Sequence, residues 1–359
     1  MTAVTPLKVC IYVFCSLLAS SALPAHGGAS VDLLPSDAIL TMSLTIKEND
    51  PGQKWVFSEL TKYLISEAGE REKTAPLDEI RLFHFSDFCF ALFPPAAGDR
   101  EQMLIAAGLL PSGGTFGLTY GDQKFQLNVR DTRTATNTQT SLLTLLLGIA
   151  CKVPADSPPD GGIYANPLRE NKGRFSAFSV SDTRALAATN KAIIKTALSG
   201  ARRVTASRPY QETMALLPRD WDAYGYANNE HAVLSHMLEA KKRGWQLLLL
   251  TLLTPAKRVG MALDVVDKDN SRIVLAFAAA GPKEVKELRG KLEPTLDLLI
   301  AQYLDKRISS TLRFEELPNA LKIDAQLSHT SSYWERVFHK KAATPKPGPP
   351  TGKGNEPRA

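Results

Sequence analysis

The sequence predicts an α+β protein, made of antiparallel sheets and hairpins with amphipathic helices, whose element order recurs in two similar halves. Three observations carry this reading. Apolar runs come in pairs around polar turns, as at Asp267-Lys268-Asp269-Asn270-Ser271 and Leu317-Pro318-Asn319. A long helical stripe, Leu288, Leu292, Leu296, Leu299 and Tyr303, stands between two such hairpins instead of alternating one for one with strands. A comparable order of strand, helix and hairpin lies on either side of Pro154 to Gly162, which holds three prolines and two glycines in nine residues.

At the N-terminus, Lys8 precedes the apolar run Val9 to Leu18, followed by the small residues Ala19-Ser20-Ser21-Ala22. This is the pattern of a secretory signal. The run is shorter than the roughly 20 residues that cross a bilayer, so removal is expected rather than anchoring. Ala25 and Gly27 place small side chains one and three positions before a cut at Gly28. Residues 1–27 are therefore read as a signal peptide and the protein as periplasmic or secreted. Cys10 and Cys15 lie inside this segment without the context of a lipid-modified cysteine.

The body divides into a first α+β unit over 28–153, a linker over 154–162 and a second unit over 163–339. Leu40, Met42, Leu44 and Ile46 alternate as an opening strand. Val56, Leu60, Tyr63 and Leu64 then share a helical face after the break Asp50-Pro51-Gly52. Asp87 to Phe93 and Met103 to Leu110 pair around a proline-rich turn, Lys124 to Val129 adds a strand, and Thr138 to Ala150 a helix.

In the second unit, strands are expected at Gly162 to Asn166 and Arg174 to Val180. Thr189 or Asn190 caps a helix carrying Ile193 and Ala197, and Gly200 stops it. Another short helix covers Pro209 to Leu217, a strand Trp221 to Ala227, and a helix His231 to Lys242. Hairpins follow at Gly260 to Ala278 and Ser310 to Leu327, with the long helix between them kinked at Pro294. Residues 340–359 form a Pro/Gly/Lys-rich tail without aromatics, expected to be disordered.

The net charge of +6 is unevenly placed: the tail from Lys340 carries +4 and Lys8 another +1, which leaves +1 for the body. A body so close to neutral argues against a nucleic-acid partner. Cys89 and Cys151 either close a disulfide in an oxidising compartment or stand as two buried thiols. Trp245 to Leu253, with Trp245, Leu247, Leu248, Leu249 and Leu250, is the most apolar run after the signal. At nine residues it is buried core or an apolar binding surface, not a membrane span.

No catalytic residue, metal ligand or cofactor site is assigned. His231 and His236 are five residues apart, which turns a helix by about 500° and separates the imidazoles by about 140°. His236 and Glu239 fit a solvated pair, and His84 fits a partly buried histidine between Phe83 and Phe85. Gly113-Gly114-Thr115-Phe116-Gly117 lacks the lysine of a phosphate loop and reads as a turn cluster. Asp220 with Asp222, and Glu315 with Glu316, are read as solvated carboxylates.

Two stretches carry a family resemblance: Leu33-Leu34-Pro35-Ser36-Asp37-Ala38, and Arg208-Pro209-Tyr210 through Leu217-Pro218-Arg219-Asp220 running into Trp221 to Asn228. Both resemble a group of secreted bacterial proteins classed only as a domain of unknown function, in which Leu-Pro-x-Asp precedes a strand. The resemblance covers Leu33 to Phe338 and implies export and an α+β fold, with no catalytic residues to transfer. In each motif the proline is expected to fix the approach to the strand and the aspartate to bond a nearby amide.

The functional reading is an exported envelope protein with a non-enzymatic partner-binding or assembly role, its partner an unknown envelope protein or apolar ligand. The alternatives are a carrier of an apolar ligand such as a lipid, and an unrecognised envelope hydrolase.

Overall fold

The computed structural model describes residues 30–47, 50–56, 85–96, 100–109, 115–120, 123–128, parts of 143–154, 159–170, 174–230, 256–303 and 308–331. Residues 1–29, residues 332–359 and Trp245 to Leu253 lie outside the described residues. The fold is mostly antiparallel sheet with a few helices, an α+β arrangement weighted to β. No helix among the described residues is long and apolar enough to cross a membrane.

Strands β1 (Leu40–Thr45), β2 (Phe85–Ala96) and β3 (Arg100–Leu109) form a meander. β4 (Thr115–Tyr120) and β5 (Gln123–Asn128) make a separate hairpin, so Thr115 to Gly117 belong to a strand rather than to a turn cluster. β6 (Ile163–Ala165), β7 (Ala177–Val180) and β8 (Arg184–Ala188) return to the main sheet. A second meander, β9 (Ala223–Asn228), β10 (Arg258–Val265) and β11 (Asn270–Ala278), precedes the hairpin β12 (Ser309–Leu317) and β13 (Ala320–Ser328). The helices are α1 (Lys191–Ser199), α2 (Arg208–Met214) and α3 (Pro282–Tyr303), with a further helical start over residues 51–56.

Eleven strands join in one sheet, in the order β12-β13-β11-β10-β9-β1-β2-β3-β8-β7-β6, every pair antiparallel. The sheet continues across Pro154 to Gly162, because β3 before that stretch pairs directly with β8 after it. The runs β1-β2-β3-β8-β7 and β9-β10-β11-β13-β12 have the same pairing order and meet only at β1 and β9 among the described residues. In that ladder Met42 pairs with Gly225, and each stands eight residues after the leucine of a Leu-Pro-x-Asp. The register is thus symmetric about two equivalent positions.

Alternation along each strand gives the sheet two faces. On the front, α1 buries Ile193, Ile194 and Ala197 against Ala106, Leu186 and Ala188, while α2 and Leu217 cover Ala262, Val274 and Ala276. On the back, α3 sets Val285, Leu288, Leu292 and Leu296 against Phe277, Leu321 and Ile323. The helix runs through Pro294 without ending. At the other end of the back face Leu147 and Cys151 pack on Phe178 and Ala187.

Local chemistry explains the boundaries. Asn190 caps α1 by accepting from the Ile193 amide at 3.0 Å, and Gly200 ends it at φ 67°. Pro94 and Pro95, which cannot donate to a ladder, coincide with the register shift between Phe93 and Ala96. Leu34 and Leu217 of the two Leu-Pro-x-Asp motifs are buried at 0% and 6% exposure. The aspartates Asp37 and Asp220 are exposed and make no amide bond among the described residues, so the leucine, not the aspartate, anchors each motif.

Two glycines give opposite stability predictions. A Cβ on Gly52 would lie 1.6 Å from the Val265 carbonyl oxygen, so Gly52→Ala must push the helical start off β10. We expect it to cost at least about 2 kcal/mol in denaturant unfolding. Gly290, exposed in α3 with nothing near a built Cβ, should gain up to about 1 kcal/mol as Ala.

Candidate functional site

A groove of about 460 Å³ opens on the front face beside the β1·β9 seam. Its apolar wall is Tyr210 and Met214 of α2 with Pro218, Trp221 and Tyr224. Its floor is made by the small side chains Ser43 and Thr45 of β1. Asp87, Asp220, Lys47 and Arg219 supply the charges. The volume falls in the range of ligand sites.

Each wall residue is held by its own contacts. Tyr210 meets Tyr226 edge-on, with ring centroids 5.1 Å apart. The Tyr224 hydroxyl donates to the Pro218 carbonyl at 3.0 Å and accepts from the Trp221 amide at 2.9 Å, which locks the turn. Burial pushes the phenols of Tyr210 and Tyr226 up to about 12, and burial likewise raises Tyr224. All three remain neutral hydrogen-bonding groups at ordinary pH.

Beneath the groove lies a buried carboxylate, Asp222, only 1% exposed. It accepts from Gln53 Nε2 at 2.7 Å and from the Val265 amide at 2.8 Å, and pairs with Lys47 Nζ at 3.2 Å. Gln53 in turn bonds the Thr45 carbonyl and the Lys47 amide, and Lys47 reaches the Asp220 carbonyl. Asp220 and Asp222 are therefore not a solvated pair: the first is exposed and the second is the centre of a clamp joining residues 47–53 to β1, β9 and β10. Burial first, and the Asp222 charge second, push Asp264 up against the opposing effect of Lys47. On the groove's far side Asp87 accepts from the Ser30 amide and hydroxyl and from the Gly108 amide.

The two cysteines do not meet. Cys89 faces the front core with Ala106, whereas Cys151 packs on Phe178 and Ala187 at the back, and both are free thiols. A sheet stands between them, whereas a bridge needs Cα atoms roughly 4.4–6.8 Å apart. The disulfide reading is therefore corrected to two buried thiols. Burial raises Cys89 well above its usual value and Cys151 to about 12.

Trp245, Leu247, Leu248, Leu249 and Leu250 lie outside the described residues, as do His84, His231, His236 and Glu239. Glu315 and Glu316 point to opposite faces of β12; Glu316 bonds Arg289 at 3.0 Å and Glu315 approaches Lys322 at 3.8 Å. Among the described residues no cluster of three or more His, Cys, Asp or Glu could hold a metal. The groove itself was not anticipated, since its walls come from α2, β9 and β1. The Pro218 to Tyr224 stretch was its one local signal.

No family model matches this chain. No curated protein matches it either. Two crystal forms of a protein called TP0453 are similar in structure, at 10% and 11% identity. Each match covers 88% of this chain and 100% or 98% of the other, with TM-scores of 0.42 and 0.41. At that level the match bears on neither activity nor ligand.

Replacing Asp222 with Ala removes the acceptor of three donors and should cost about 3 kcal/mol in equilibrium unfolding. Asp222→Asn keeps a single acceptor oxygen, whereas Gln53 and the Val265 amide bond different carboxylate oxygens, so it should recover only part of that loss. The thiols predict a pH effect. Both pKa values are raised in the fold, so their contribution is intact below the ordinary thiol range and is lost as pH climbs toward about 12. In a Cys10→Ser/Cys15→Ser chain, a thiol reagent at pH 8 should titrate no sulfur until denaturant is added, with or without prior reduction.

Proposed function

We propose that this chain is exported to a bacterial envelope and acts there as a partner-binding or assembly protein rather than as an enzyme. The observation that carries the reading is Met42, which is 38% exposed on one of the most central strands of the sheet. It faces the back, opposite Phe90 on β2 and across Gly225 from Met261, with Leu44 and Leu263 alongside, all but Gly225 half-buried. α3 covers one end of this face and Leu147 with Cys151 the other. An uncharged apolar strip with an exposed methionine between two covered ends is an adaptable contact surface.

The same strip supports a second reading, a carrier of an apolar ligand such as a lipid, because an apolar lining is what such a ligand requires. Equal pairing order in the two halves, with a register centred on Met42 and Gly225, supports their being copies of one unit. The strip would then lie on the axis that relates them.

Native mass spectrometry of the processed protein from its own envelope tests both readings. A mass cut near Gly28 with a bound protein supports the first reading, and a lipid-sized adduct supports the carrier. An uncut precursor confined to the cytosol removes the export claim. Met42→Glu should abolish whichever association is seen while moving unfolding by less than about 1 kcal/mol, since the side chain is already partly in water. Association that survives the substitution places the surface elsewhere.

A further inference from the structure

The groove on the front face is a different surface from the strip around Met42. Its walls are aromatic and apolar, its floor is small, and its exposed carboxylate, Asp220, has no ion pair among the described residues. Lys47 is neutralised by Asp222, so among the described residues Arg219 is the one unpaired cation lining the groove. A shallow aromatic groove with a carboxylate at its edge is suited to a proline-rich strand carrying a lysine. Proline rings stack on aromatic faces, and a polyproline II strand loses little entropy on docking because it is already stiff.

The chain itself contains a sequence of this composition. Residues 345–350 read Pro-Lys-Pro-Gly-Pro-Pro, and Pro347 and Pro350 are three apart, one turn of a polyproline II helix, so they share an edge. Apart from prolines and alanines, residues 342–359 hold no apolar side chain, so this segment cannot build a core. Its reach is sufficient. β13 ends at Ser328 beside Asn270, at the same end of the sheet as Val265, Asp222 and Lys47. From β13 to β1, on the far side of the seam, is four strand spacings, about 19 Å. The 14 residue-to-residue steps from Ser331 to Pro345 allow a reach of up to about 43 Å. The direction also fits: in the other half the matching strand, β8, hands the chain to α1 on the front face, where the groove lies.

We propose that the groove is the docking site of the chain's own Pro/Lys-rich tail, bound in cis with Pro347 and Pro350 against Tyr210 and Trp221 and Lys346 near Asp220. The segment is then a tethered occupant of the groove, which any outside ligand must displace.

The test uses the full chain with the photoreactive residue p-benzoylphenylalanine at position 348. Irradiation should give a product of single-chain mass, with the crosslink in the peptides spanning residues 208–224. Crosslinks that join two chains, or that miss those peptides, overturn the proposal. A second measurement uses the tail as its own competitor. A labelled peptide of residues 342–359 is titrated into the full chain and into a full chain with Pro345, Pro347, Pro349 and Pro350 all changed to Ala. The variant, whose own segment no longer competes, should bind the peptide at least tenfold more tightly, and Asp220→Asn in that background should weaken binding several-fold. Equal affinity of the two chains, or no saturable binding to either, overturns the proposal.

Discussion

Everything in this fold depends on the pairing of β1 with β9. Each other ladder of the main sheet lies within one half, so this short seam turns two five- or six-stranded pieces into one sheet of eleven. Ladder hydrogen bonds alone net only about 1 kcal/mol each. The seam is reinforced where strand bonds end. Asp222 precedes β9 and takes donors from Gln53 and Lys47 beyond β1 and from Val265 on β10. A buried carboxylate is costly unless it is fully bonded, so the clamp holds these segments in one register or fails as a unit. Gly52 belongs to the same constraint, because only a residue without Cβ lets the chain just before Gln53 run so close to the Val265 carbonyl.

Much of the strand order was legible in the sequence because hairpins announce themselves locally. The polar turn at Asp267 to Ser271 and the Leu317-Pro318-Asn319 turn each sit between strands found within about two residues of their expected limits. The α1 cap and stop were equally local, resting on Asn190 and Gly200. What escaped was set by tertiary context. β8, Arg-Ala-Leu-Ala-Ala, has an alanine-rich composition that favours helix, yet it is a strand because β3 and β7 flank it on both sides. The role of Asp222 was equally hidden, since a charged residue next to a turn reads as solvated until its partners, Gln53 and Lys47, fold in from nearly 170 positions away. Of the two readings of the cysteines, the disulfide fell for a geometric reason that no spacing rule across 62 residues can reveal: Cys89 faces the front core from β2, whereas Cys151 packs on Phe178 and Ala187 at the back.

The two faces answer different physical demands. The back is closed mainly by one long helix with leucines at regular intervals, a simple way to cover β10 to β13, and it leaves the middle of the sheet to Met42 and its neighbours. The front is covered by short helices and turns, with α1 over one half and α2 over the other. Short elements meet at angles and leave gaps between them, and the groove is such a gap. Arg258 fixes the position of α2 beside it, reaching Glu212 at 3.0 Å and the Pro209 carbonyl at 3.3 Å.

The gap also depends on how the two halves differ. Matching the Leu-Pro-x-Asp motifs sets Ala38 against Trp221, Ile39 against Asp222, Thr41 against Tyr224 and Ser43 against Tyr226. At two front-facing strand positions, Thr41 and Ser43, the first half carries a small polar residue and the second a tyrosine, while Thr45 stands against Asn228. Had both halves kept small residues, the seam would expose an unwalled polar sheet, and two aromatic sets would fill the space above β1 and leave no opening. The groove exists because one half supplies its floor and the other its wall. The same mismatch places Asp222 where the first half has Ile39, so the residue that closes the seam and the residues that shape the groove arise from a single departure from symmetry. A ligand of the groove would therefore read the asymmetry of the molecule, whereas a partner of the strip around Met42 would meet its axis.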